Sequence, residues 1–134
     1  MQTWWDYTVE VPNYPGSLAK LGEEFGRAKI NIEGLACFEW EGQGYCHVLT
    51  QQYEESRKVF SRLGWKIRYE YEVLVAPIEN RPGILGEYCR RLADAGINVT
   101  TCYAATDSRL VFGAADYAKL REVWTSWVPA GSRS

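Results

Sequence analysis

The sequence predicts an α+β fold built twice. Two βαββαβ modules follow one another, each an antiparallel sheet with its helices packed on one face. Three observations carry this. First, Asn13-Tyr14-Pro15-Gly16-Ser17-Leu18 returns 67 residues later as Asn80-Arg81-Pro82-Gly83-Ile84-Leu85. The same offset carries Phe25 onto Leu92, Ala28 onto Ala95 and Ile30-Asn31-Ile32 onto Ile97-Asn98-Val99. A repeat of this kind bounds the architecture before any single element is read. Second, apolar residues alternate before each copy and recur at helical spacing after it. Third, short Gly-, Asp- and Ser-bearing turns follow at the places a hairpin needs them. The modules span residues 1–71 and 72–127, and 128–134 read as a disordered tail.

In order, Trp5, Tyr7, Val9 and Val11 alternate with Trp4, Asp6, Thr8 and Glu10, a half-buried first strand. Pro12 to Gly16 breaks it. Proline fixes its own φ and lacks an N–H, so it suits a helix's first turn, and the preceding asparagine favours a local turn. Leu18, Leu21, Phe25 and Ala28 then mark a helix, with Lys20, Glu23, Glu24 and Arg27 on its polar side. Gly22 and Gly26 weaken it by about 1 kcal/mol each. Asn31 to Trp40 reads as a strand, Glu41-Gly42-Gln43-Gly44 as a turn, and Tyr45 to Gln51 as the paired strand. Tyr53 to Leu63 is a second helix, stopped by Gly64.

Trp65, Ile67, Tyr69 and Tyr71 alternate as a fourth strand, with no linker before Val73. That strand should run straight into the next module's first strand, Val73 to Ile78. The inward residues there, Leu74, Ala76 and Ile78, have the opposite parity. Either a bulge or twist lies near residues 71 to 74, or the modules carry their helices on different sides. Val73 and Val75 then fall outside their own module's core and should be covered by the other module or another chain. A helix with Leu85, Tyr88, Cys89, Leu92 and Ala95 inward follows, capped by Gly96 where the first module has Lys29. Asn98 to Ala105, a turn at Thr106-Asp107-Ser108, and Arg109 to Ala114 make a hairpin. Tyr117, Leu120, Val123, Trp124 and Trp127 make the last helix. The eighth strand should begin at Pro129, but Pro-Ala-Gly-Ser-Arg-Ser has no strand character. The second sheet's last strand is thus missing or supplied elsewhere, and another strand, or a second copy of the chain, would cover the open edge.

Composition excludes several classes. Hydrophobic residues make up 46% and charged residues 24% of the 134, which is globular rather than disordered. Modules of about 65 residues lie near the lower limit for independent folding, so they should share an interface. A net charge of −2 without a basic run offers nucleic acid no footprint. The longest apolar run, Val73 to Ile78, cannot span a bilayer. The N-terminus lacks the pattern of a secretory signal, so a cytoplasmic location is expected. Cys37, Cys46, Cys89 and Cys102 have no C-x-x-C spacing and are expected to be reduced, small and buried. No metal site, catalytic group or cofactor is indicated. His47, the single histidine, follows Cys46 on a strand, so the two side chains point to opposite faces.

The doubled Asn-x-Pro-Gly between first strand and first helix, with Ile30-Asn31-Ile32 and Gly96-Ile97-Asn98-Val99 entering the second strand, resembles tandem ACT domains. The resemblance covers about residues 4 to 126, and the first copy departs from the pattern at Tyr14 and Lys29. It implies ferredoxin-like modules that bind a free amino acid or similar small ligand between two copies of the fold. It further implies a free-standing sensor, or a subunit acting in trans on a metabolic enzyme; a homodimer is expected beside it, since a second copy could cover the open edge. The site it implies comprises Asn13 and Asn80, the bare helix starts Gly16-Ser17-Leu18 and Gly83-Ile84-Leu85, and Asn31 and Asn98.

The chemistry of those residues suits a zwitterion. Free N–H groups at a helix start receive a carboxylate. An asparagine can accept from an ammonium or donate to a carboxylate without adding charge. Arg81 could assist at the second site, or simply be solvated, while Tyr14 cannot do the same at the first. Taken singly, Pro-Gly only starts a helix, and Asn31 and Asn98 only finish a turn. Both readings stay open from the residues alone. The other reading is a structural or oligomerising module with no ligand.

Overall fold

The structure, a computed structural model, describes residues 3–127. In chain order it has β1 (Trp4–Val11), α1 (Ser17–Arg27), β2 (Gly34–Trp40), β3 (Gln43–Thr50), α2 (Tyr53–Leu63), β4 (Ile67–Pro77), α3 (Ile84–Asp94), β5 (Val99–Ala105), β6 (Arg109–Ala114) and α4 (Tyr117–Trp127).

The expectation of two separate βαββαβ sheets is overturned. The six strands run in one closed, hydrogen-bonded order, β1-β3-β2-β5-β6-β4. The end of the first half and the start of the second are a single 11-residue strand, Ile67–Pro77. A closed order leaves no free edge, so no eighth strand or second copy is required to cover one. Pro129 and the tail lie outside the described residues. The sequence repeat displays each strand but not its neighbours, because pairing depends on contacts far apart in the chain.

The chain divides into two compact units, Trp4–Tyr71 and the part from Glu72 onward. In the first, β1 contributes Tyr7, Val9 and Val11 to a core with Leu21, Phe25, Cys46, Val48, Val59 and Phe60. Tyr7 and Phe25 meet Phe60 at ring-centroid distances of 5.3 and 5.2 Å. Each such buried side chain contributes roughly 1.5–3 kcal/mol by leaving water. In the second unit Leu74, Ala76, Leu92, Leu110, Phe112, Leu120 and Trp124 form the core.

β1 is not half-buried. Trp4 and Asp6, on the face away from the helices, are buried as well. Asp6 Oδ2 lies 3.0 Å from His47 Nδ1, and Thr8 Oγ1 lies 3.3 Å from the same nitrogen. A buried carboxylate needs such partners. Val73 and Val75 are also buried, with Val73 beside Gly113 of its own unit.

Trp65 and Ile67 pack on the first core, whereas Leu74, Ala76 and Ile78 pack on the second. Glu70 turns to α2, accepting from the Tyr53 hydroxyl, while Tyr69 and Tyr71 stack on each other half-exposed. The β4 residues packed on the two cores are thus odd-numbered up to Ile67 and even-numbered from Leu74 on.

The turns follow local chemistry. Glu41 and Gly42 both have positive φ, 48° and 81°, the two-residue turn whose twist matches a hairpin. Lys29 (φ 59°) and Gly96 (φ 77°) occupy the same left-handed place after α1 and α3. In both, the next residue's N–H reaches back over the helix end, Ile30 to Phe25 O at 3.0 Å and Ile97 to Leu92 O at 2.9 Å.

Candidate functional site

The loop between β1 and α1 is built by its own residues. Gly16 takes φ 96°, which removes it from the helix and leaves α1 without a side-chain cap. Ser17 is buried and donates its hydroxyl to Pro12 O at 2.6 Å, closing the loop on itself. Asn13 Nδ2 donates to Gly42 O at 3.1 Å, while Gly42 N donates to Glu39 Oε1 at 2.6 Å. The hairpin turn is thus held through both backbone groups of one residue, Gly42. Among the described residues, the N–H groups of Leu18 and Ala19 have no acceptor, and Asn13 Oδ1 accepts no hydrogen bond.

These groups face a cavity of about 470 Å³. Its walls are residues 11–19 on one side and Cys37, Phe38, Glu39, Gly44, Tyr45 and Cys46 of the hairpin on the other. That size falls within the roughly 300–1,000 Å³ usual for small-ligand sites. Apolar surface comes from Val11, Tyr14, Leu18 and the stacked pair Phe38 and Tyr45, whose rings lie 5.4 Å apart. Polar chemistry comes from the helix start, Asn13 and Glu39.

The structure overturns the expectation that all four cysteines are reduced. Cys37 and Cys46 stand opposite each other on β2 and β3, with Cα atoms 4.1 Å apart, and are joined by a disulfide. Directly opposed strand residues come this close only at the narrow pairs of an antiparallel ladder, a geometry invisible without the register. The C-x-x-C search missed it because the two cysteines are nine positions apart. Cys89 and Cys102 are free, the first half-buried and the second exposed, against the expectation that both are buried.

Of the residues singled out in the sequence, Asn13, Gly16, Ser17 and Leu18 line this cavity, and exposed Asn31 does not. Sequence reasoning missed Phe38, Glu39 and Tyr45, which the β2–β3 register brings to it.

The loop of the second unit repeats the backbone. Gly83 has φ 89°, and Ile84 N reaches Arg81 O at 3.3 Å as Ser17 N reaches Tyr14 O at 3.4 Å. The N–H groups of Leu85 and Gly86 likewise have no acceptor among the described residues. Its side chains differ. Arg81 lies 2.5 Å from Glu87 and 3.3 Å from Glu79. These hydrogen bonds, Glu87's foremost, raise the guanidinium's pKa, and Arg81 holds the Glu87 carboxyl below the ordinary range. Arg81 is therefore already neutralised locally. Asn80 and Asn98 are exposed, and Asn98 lies between α3 and β5.

No group of three or more His, Cys, Asp or Glu among the described residues could hold a metal ion. No helix among them is long and apolar enough to cross a membrane.

No family model and no curated protein sequence matches the chain. Solved structures match nearly the whole described length of this chain. A protein of Bacteroides thetaiotaomicron superimposes with a TM-score of 0.80 at 18% identity, covering 94% of this chain and 89% of that one. The ligand-free regulatory subunit of aspartate kinase from Thermus thermophilus gives 0.67 at 13% identity, covering 95% and 93%. The corresponding subunit from Thermus flavus gives 0.63 at 14%, covering 96% and 94%. At these identities the likeness is one of fold. The resemblance to ACT-domain regulatory proteins carried by the doubled Asn-x-Pro-Gly motif holds at that level.

Proposed function

We propose that this chain is a non-catalytic regulatory protein that binds a free amino acid in the cavity beside the β1–α1 loop. The observation that carries the reading is the meeting of two unsatisfied helix-start N–H groups with an apolar hollow of ligand size. The N–H groups of Leu18 and Ala19 receive the carboxylate, beside Gly16, whose missing side chain leaves the approach open. Asn13 Oδ1 and the Glu39 carboxylate accept from the ammonium. Val11, Tyr14, Leu18, Phe38 and Tyr45 surround the ligand side chain, which is therefore apolar.

The second loop, with Asn80, Gly83, Ile84 and Leu85, is a weaker site of the same kind, because Arg81 is committed to Glu79 and Glu87. Asn31 and Asn98 stand exposed at the turns into β2 and β5. The protein acts in the cytoplasm as a homodimer and regulates a metabolic enzyme in trans. The fold shared with a kinase regulatory subunit supports that last step. The other reading, a structural module with no ligand, predicts no response to any amino acid.

A thermal-shift screen of the free amino acids decides between them. A ligand at 100 times its Kd stabilises by about 2.7 kcal/mol and raises Tm measurably. A rise confined to apolar amino acids is the expected result. No rise with any of them at millimolar concentration overturns the proposal.

A further inference from the structure

We propose that the Cys37–Cys46 disulfide is a reversible thiol–disulfide exchange site for small dithiol reductants, and that its state sets the affinity of the cavity it lines. The exchange stands on its own geometry. Its consequence for affinity rests on the amino-acid reading above.

The bond joins the two strands that form the far wall of the cavity, and both cysteines line it. Their exposures differ sharply. Cys46 is 1% exposed and part of the first core, whereas Cys37 is an exposed residue. A reductant therefore approaches at Cys37, while Cys46 stays anchored. The next rung of the ladder is Phe38 opposite Tyr45, the stacked pair that supplies the cavity's aromatic surface. One position further from the bond, Glu39 holds the hairpin turn that Asn13 also grips. Every hairpin residue assigned to the ligand thus lies within three positions of the disulfide. In a compartment that keeps thiols reduced, a disulfide is expected to be transient and redox-sensing rather than a permanent staple.

The step balances as an exchange. A thiolate of the dithiol attacks Cys37 Sγ, the sulfur–sulfur bond breaks, and the electron pair leaves on Cys46 Sγ, which takes up a proton. The second thiolate of the reagent then attacks the mixed disulfide. It releases Cys37, which is protonated, and leaves the reagent as a cyclic disulfide. The protein gains two electrons and two protons, and the dithiol loses them.

Reduction changes the wall. Two unbonded sulfurs need roughly 3.5–4 Å between them, the ordinary separation of non-bonded atoms. Cys46 cannot retreat, because its core is close-packed. The Cys37 thiol therefore turns into the cavity and the rungs at Phe38 and Glu39 shift with it. The reduced protein binds more weakly.

The test uses the whole chain, with L-phenylalanine as probe. Alkylation in denaturant, read by mass, should find two thiols in the protein prepared under air, Cys89 and Cys102. It should find four after the folded protein is treated with millimolar dithiothreitol, and two again after oxidised glutathione. Circular dichroism should stay unchanged throughout. Calorimetry should give a Kd at least fivefold higher in the reduced state. Cys37→Ser, which leaves the buried cysteine in place, should bind at the reduced level with or without dithiothreitol. Four thiols before treatment, or a bond that resists reduction until the protein unfolds, overturns the exchange site. Equal affinity in both states, with thiol counts moving from two to four, overturns the gating alone. If L-phenylalanine binds in neither state, leucine, isoleucine, valine and methionine are titrated in its place; binding by none of them overturns the amino-acid reading and the gating with it, and the thiol counts still decide the exchange.

Discussion

Asn13 donates its side-chain N–H to the carbonyl oxygen of Gly42 at 3.1 Å, across the mouth of the cavity. It ties the loop that starts α1 to the turn of the β2–β3 hairpin. A local turn asparagine would satisfy its own loop, and this one instead sets the distance between two walls. Asn13→Ala should therefore cost no more than about 1 kcal/mol of stability, the worth of one exposed hydrogen bond. It should weaken amino-acid binding about tenfold or more, since it removes both a ligand acceptor and the tie between the walls. Calorimetry on folded variant and parent, paired with denaturant unfolding, separates the two effects. Unchanged affinity would remove Asn13 from the site.

The left-handed residue after each of the first helices of the two units makes a matched pair of tests. Lys29 holds φ 59° with a side chain, where Gly96 holds φ 77° without one. Lys29→Gly should stabilise the protein by about 0.5–1 kcal/mol, the strain relieved less the entropy glycine adds to the unfolded chain. Gly96→Ala should destabilise by about 1 kcal/mol. Its added Cβ would meet only the flexible Lys119 Nζ at 3.5 Å, so strain rather than crowding is measured. Urea unfolding midpoints give both numbers, and their opposite signs are the prediction.

Gly44 sits on the cavity wall for a different reason. A Cβ there would lie 2.7 Å from Val11 O, a backbone atom of β1 that cannot step aside cheaply. Gly44→Ala should cost about 1–3 kcal/mol, the range of overpacked sites, and should push the hairpin from the β1–α1 loop. Loss of stability together with loss of ligand binding is expected, read by thermal unfolding and calorimetry.

At the second loop the charges give a pH signature. The Arg81 hydrogen bond holds the Glu87 carboxyl below its ordinary value. Glu87 therefore contributes stability that is present at neutral pH and is lost as pH falls through its folded midpoint. Both groups are exposed, so salt should diminish the effect. An NMR titration should show Glu87 ionising below the ordinary glutamate value. Arg81→Ala should return it to that ordinary value, and should leave binding at the first cavity untouched.

How much of this was legible beforehand differs by level. The helix over Tyr53–Leu63, the stop at Gly64 and the strand Trp4–Val11 were readable because each rests on neighbours in the chain. So was the positive φ at Lys29, placed by its alignment with Gly96. The left-handed φ of Gly16 and Gly83 was not read from the sequence, which marked both only as bare helix starts. Asp6 was misread. Alternation marked it as a solvent residue, and it is buried against His47, because the face of β1 away from the helices is covered too.

The sequence by itself determined the repeat, the elements and one wall of the site, Asn13 to Leu18, since periodicity, proline and glycine act over a few residues. Tertiary structure alone decided the closed strand order, the disulfide and the opposite wall of Phe38, Glu39 and Tyr45. The physical reason is register. Which residue faces which across a ladder is chosen by the packing of the whole sheet, and no local pattern encodes it.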